Sequence, residues 1–107
     1  MAGISKAEQL GKNGTFREKH NRDKDYTEFL HLVPCAICGK LPVETHHVDG
    51  RKFGTNDHRQ LPLCPFHHRG SGGIHMMGNI SFQAHYGIDV YEEADGYYDY
   101  YEKHRKG

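Results

Sequence analysis

With 107 residues, 36% hydrophobic content and no tryptophan, the chain has room for one domain and a small apolar core, so a staple beyond hydrophobic burial is expected. Lys plus Arg and Asp plus Glu number 14 each, which excludes a globally basic or acidic protein and leaves local charge as the informative quantity. No apolar run approaches the roughly 18 residues of a membrane span, and the N-terminus lacks the apolar segment of an export signal, so no membrane partner is expected.

Residues 1–22 are polar and glycine-bearing, with Lys6, Lys12, Arg17, Lys19 and Arg22 against Glu8 and Glu18. They predict a flexible basic arm ahead of a folded domain over 23–107. From Asp25, a plausible N-cap, Tyr26, Phe29, Leu30 and Val33 recur at helical spacing until Pro34 stops the helix. "LPVETHHV" has strand composition, "DGRKFGTNDHR" is a turn-rich loop and "QLPLC" is the returning strand, together a hairpin with a long connection. "PFHHRGSGG" reads as a helical turn running into a mobile glycine connector. "NISFQAHYG" is a short helix with Asn79 as N-cap candidate and Gly87 just past its end. In the last segment Val90, Tyr91, Ala94, Tyr97, Tyr98 and Tyr101 fall near helical periods, and the tyrosines read as packing groups rather than base-stacking ones. The fold class expected is α+β.

Three cysteines cannot pair off completely, and Cys35-x-x-Cys38 followed after 25 residues by Cys64-x-x-His67 supplies two knuckle pairs, the ligand set of a tetrahedral structural zinc. His68 competes with His67 for the fourth place. Thiolate ligation in place of disulfides implies a reducing, cytoplasmic setting. A zinc ion here would contribute folding free energy directly.

Paired histidines occur twice, at His46–His47 and His67–His68. Neighbours on a strand point to opposite faces, so each member of the first pair is expected to do a different job: one holds a metal and the other acts as a base. If His67 closes the zinc site, His68 is left to join His46 on a second metal, with His75 as a third ligand. Such an open imidazole site leaves positions for water or a phosphate oxygen, the arrangement of a catalytic metal.

These motifs, "C-x-x-C", "HHV" and "LPLC-x-x-HH", resemble the HNH, or His-Me finger, endonuclease superfamily over residues 33–87. "VPCAICGK", "HHVDG", "LPLCPFHHRG" and "HYGID" are most similar to its phage recombination-enhancement, Ref-type branch, RecA-dependent nucleases with a basic arm before a zinc-bearing domain. The resemblance implies a zinc-stabilised ββα-metal fold with flanking short helices, in which His46, His68 and His75 hold the catalytic divalent metal (Mg, Mn, Zn or Ni) and His47 is the general base. Gln60 stands where the family has an orienting asparagine, with Asn56 and Asp57 as rivals. Arg51, Lys52, Arg59 and Arg69 flank the site as candidate phosphate contacts, which read no bases, so little sequence specificity is implied. The implied activity is hydrolysis of DNA phosphodiester bonds, with a RecA filament as a partner, in the cytoplasm of a bacterial or phage-infected cell. The basic arm is equally a solvated tail or a DNA-holding one. A zinc-stapled nucleic-acid-binding module without cleavage and a partner-binding scaffold are the competing readings.

Overall fold

A computed structural model describes residues 21–50 and 55–105. The predicted arm up to residue 20, and Arg51 and Lys52, lie outside the described residues. The order of elements is α1 (Lys24–Leu30), β1 (Glu44–His47), β2 (Gln60–Leu63), α2 (Pro65–Arg69), α3 (Ile74–Met77), α4 (Asn79–Tyr86) and α5 (Val90–His104). The class is therefore α+β, as expected.

The two strands pair antiparallel, with His46 opposite Leu61 and His47 opposite Gln60. Pro62, opposite Thr45, lacks the N–H a ladder needs. Its carbonyl instead accepts from Ala36 N at 2.9 Å, which ties the Cys35–Cys38 knuckle to the strand. All of β2 is buried, because α5 packs against it. Leu61, Leu63, Phe82, Ile74, Val90 and Ala94 form one core with Cys35 and Cys64. Beside it, the ring of buried Tyr26 meets Tyr98 and Tyr101, each at 5.0 Å between centroids. The tyrosines of α5 thus pack the helix onto the domain, as the sequence suggested.

Local boundaries differ from expectation at four places. Asp23, not Asp25, caps α1 by accepting from Tyr26 N. Asn79 is the first residue of α4 and Gly78 its cap, while Gly87 ends that helix in the left-handed conformation as predicted. The folded region begins earlier than 23: Asn21 N donates to the Thr55 carbonyl at 2.6 Å, and Asp57 N to the Asn21 carbonyl at 2.8 Å. The glycine connector is not loose. A Cβ on Gly73 would lie 2.7 Å from the His68 carbonyl carbon, and one on Gly72 would enter the Phe66 ring. These glycines let the chain fold back closely on α2 before α3 begins, so their composition reflects close approach of backbone.

Gly73→Ala should therefore force α2 and α3 apart and lower stability by about 1–3 kcal/mol, the usual cost of overpacking. A thermal melt that matches the parent protein would refute the tight return.

Candidate metal centre and catalytic site

The hairpin followed by α2 brings together two groups of ligating side chains. Cys35, Cys38, Cys64 and His67 form a cluster able to hold a metal ion, as do His46, His68 and His75, and within each group the ligand atoms lie within 4.8 Å of one another.

In the first group Cys38 Sγ lies 3.7 Å from Cys64 Sγ, and His67 Nδ1 lies 3.3 Å from Cys64 Sγ and 3.8 Å from Cys35 Sγ. The knuckle is shaped by Gly39, whose positive φ of 76° closes a turn in which its N–H reaches the Cys35 carbonyl at 2.9 Å. Burial pushes the Cys35 thiol up, but N–H groups of the surrounding backbone outweigh it and hold the thiol below its ordinary value. That favours the thiolate that metal ligation needs. His67, rather than its rival His68, completes this set.

In the second group His46 and His68 rings are 5.2 Å apart, His46 and His75 5.1 Å, and the Nε2 atoms of His68 and His75 only 3.0 Å. Burial and the neighbouring imidazoles push His46 down to about 4. It is neutral at physiological pH, the form that can ligate. His68 donates through Nδ1 to Glu44 Oε1 at 2.7 Å, which directs its Nε2 into the cluster in the carboxylate–histidine manner typical of metal sites. Glu44 is itself gripped by Arg69 Nε and Nη2 at 2.9 and 2.6 Å. Hydrogen bonds from Arg69 and His68 hold the Glu44 carboxyl at about 2. Glu44 was missed at the sequence level. Its i,i+2 relation to His46 on one strand places both on the same face and was the available signal.

His47 takes a different partner from His46. Its Nε2 bonds Asp57 Oδ1 at 2.8 Å, leaving Nδ1 for other chemistry. Asp57 is 2% exposed, and its other oxygen accepts from Asp23 N at 2.7 Å and Arg22 Nε at 3.2 Å. Burial alone would push Asp57 up, yet the Asp23 N–H, His47 and Arg22 together hold it below the ordinary carboxylate value. Gln60 does not fill the orienting place. Its Nε2 donates to Thr27 Oγ1 at 2.8 Å and to the Asp57 carbonyl at 2.7 Å, because opposite His47 its side chain runs into the interior, where it is fully buried. Asp57, one of the three candidates in that stretch, holds His47, and Gln60 braces Asp57.

The expectation that His46 and His47 are kept apart holds for their partners but not for access: both line one cavity of about 260 Å³ with Thr45, Gly50, His68 and His75. Arg69 and Arg59 are engaged by acids. Arg69 grips Glu44, and Arg59 bonds Asp49 at 3.2 Å and Asp95 at 3.0 Å while lying over the Tyr91 ring. His58 bonds Asp23 Oδ2 at 2.9 Å and stacks on Tyr98.

No protein family, curated protein or solved structure matches the chain. No helix among the described residues is long and apolar enough to cross a membrane.

Two outcomes follow from this geometry. Cys38→Ala should lose one equivalent of transition metal by elemental analysis and melt at lower temperature, whereas His46→Ala should keep that equivalent. Asp57→Asn should lower stability at neutral pH by about 1–3 kcal/mol, the usual worth of charge-assisted hydrogen bonds to a buried acceptor. Because the folded Asp57 value is depressed, its contribution is complete above the ordinary carboxylate value of 3.8 and fades as pH falls through the lower folded value. Urea melts of the two proteins should accordingly converge in acid, and a gap that persisted there would show that the loss is not electrostatic.

Proposed function

We propose that the protein is a metal-dependent endonuclease of the HNH, or His-Me finger, type that hydrolyses DNA phosphodiester bonds. The observation that carries this reading is the juxtaposition of a histidine held by a buried carboxylate with an open three-imidazole cluster in one cavity, on a hairpin followed by a helix. The resemblance in "HHV" and "LPLC-x-x-HH" points the same way.

Zinc suits the cysteine cluster. Around a tetrahedral zinc with sulfur at about 2.3 Å, neighbouring sulfurs stand roughly 3.8 Å apart, close to the 3.7 Å between Cys38 and Cys64. Its role is structural, since four protein ligands leave no open position. The His46, His68 and His75 set offers three neutral ligands and open positions, which suits zinc, manganese, nickel or magnesium. A divalent ion held there would stabilise charge on the phosphate and on the departing oxygen.

The chain's own residues supply the proton chemistry. Asp57 accepts the Nε2 proton of His47 and so fixes the tautomer with Nδ1 as the base, in the way a carboxylate orients an imidazole in hydrolytic triads. Nδ1 takes the proton of a water lying in the cavity, and the resulting hydroxide attacks phosphorus in line with the leaving oxygen. The imidazolium that forms is stabilised by the Asp57 carboxylate. Glu44 holds His68 in its ligating tautomer. None of these groups reads a base edge, so cleavage with little sequence specificity is the expected behaviour. A RecA filament as partner follows from the resemblance alone.

The test is incubation of the purified protein with plasmid and with single-stranded DNA, with and without added divalent metal. Metal-dependent cutting is expected, reduced about 10²–10⁴-fold in His47→Ala as for loss of a general base, with fold and DNA binding retained. Unimpaired cutting by His47→Ala would exclude the assigned base, and salt-sensitive binding with no cutting by the parent protein would make it a nucleic-acid-binding module instead.

A further inference from the structure

Arg22 has capacity left over after bonding Asp57. Only its Nε makes that bond, and the side chain stays 66% exposed. Its open end helps to line a cleft of about 440 Å³ formed by Arg22, Lys24, Thr27, Glu28, His31 and Asp57. Lys24 is exposed and enters no ion pair among the described residues. Thr27 Oγ1 accepts from Gln60 Nε2 at 2.8 Å, so its hydroxyl hydrogen is left to donate. His31 Nδ1 donates to the Thr27 carbonyl at 3.0 Å and stiffens the far wall. Asp57 has both oxygens satisfied, by Asp23 N, Arg22 and His47, which leaves Glu28 as the one other acid among the described lining residues. Uncommitted donors from Arg22, Lys24 and Thr27 suit a phosphate better than a carboxamide or an apolar group.

Position adds a second argument. Asp57 belongs to this cleft and touches His47, which lines the imidazole-lined cavity. The two openings therefore flank a single Asp–His pair. Phosphate contacts are needed near that pair, and the described arginines expected to supply them, Arg59 and Arg69, already bond carboxylates.

The geometry points to the Arg22–Lys24–Thr27 cleft as a subsite for a backbone phosphate of the nucleic-acid strand, a short distance along the chain from the phosphate presented to His47. The identity of the ligand rests on the nuclease reading, so binding is measured apart from cleavage, in the His47→Ala background. Fluorescence anisotropy of a short labelled single-stranded oligonucleotide is followed across a salt series. Adding Arg22→Gln and Lys24→Gln together should weaken binding about tenfold near 0.1 M salt and reduce the slope of log K against log salt by about 1, the signature of one lost phosphate contact. Because Arg22→Gln also disturbs Asp57, Lys24→Glu is tested alone. It touches no part of the Asp57 network, places an acid in the first turn of α1 where helices tolerate one, and should weaken binding in the same direction. Lys103→Glu on α5, which changes the charge by two as the double variant and Lys24→Glu each do, is the control. Slopes for the cleft variants equal to that of Lys103→Glu would overturn the subsite. So would inorganic phosphate that binds the cleft, followed by chemical shifts of Lys24 and Thr27, without displacing the oligonucleotide. Binding weakened by the cleft variants, with no cutting by the parent protein, would leave the subsite intact while removing the hydrolytic assignment.

Discussion

Two adjacent residues on an α-helix are turned about 100° from each other, and on α2 this offset divides the domain into two ligand clusters. His67 turns its Nδ1 toward the cysteines, while His68 is held by Glu44 with Nε2 toward His75. Neither orientation is free once the other is set. A metal on the cysteine cluster would fix the azimuth of a helix only five residues long, too short to be stable alone, and would thereby place His68. The close return through Gly72 and Gly73 then brings His75 back against the same helix.

The second organising contact is a buried negative charge. A carboxylate removed from water is costly unless donors surround it, and Asp57 gathers three donors from two parts of the chain: Arg22 and the neighbouring Asp23 N–H on one side, and His47 on the other. This explains why Asn21, which bonds residues 55 and 57, belongs to the same fold. It also braces the stretch just before β2, since Gln60 reaches back to the Asp57 carbonyl. The same contacts that stabilise the loop hold His47 in one tautomer.

Features governed by spacing were legible from sequence. The two x-x knuckle pairs, the hairpin on either side of a long loop, and the Gly87 helix end all follow from local rules that act over a few residues. What escaped depends on contacts made across the fold. Asn56, Asp57 and Gln60 were indistinguishable as partners of His47, because the choice is made by how a loop lies over a strand. Glycines 70, 72 and 73 have the composition of a mobile linker, and only the position of Phe66 and the His68 backbone makes them points of close approach. Asp23 prevails over Asp25 as cap because it also accepts from His58 at 2.9 Å, a contact 35 positions away. Arg59 and Arg69 looked available because their acidic partners, Asp49, Asp95 and Glu44, are recruited by folding.

Those pairings bear on how a chain of zero formal net charge could attract a polyanion. Three thiolates and one imidazole around a divalent ion sum to one negative charge, so a filled cysteine cluster would repel phosphate. Three neutral imidazoles around a second divalent ion keep both of its positive charges, and a bound ion is commonly the largest charge in its surroundings. Two carboxylates that touch the walls of that cavity are already engaged: Glu44 by Arg69 and His68, and Asp57 by His47. The contrast in ligand type between two clusters fed by one short helix would thus direct phosphate to the imidazole side, with the arginines serving to hold the acids back.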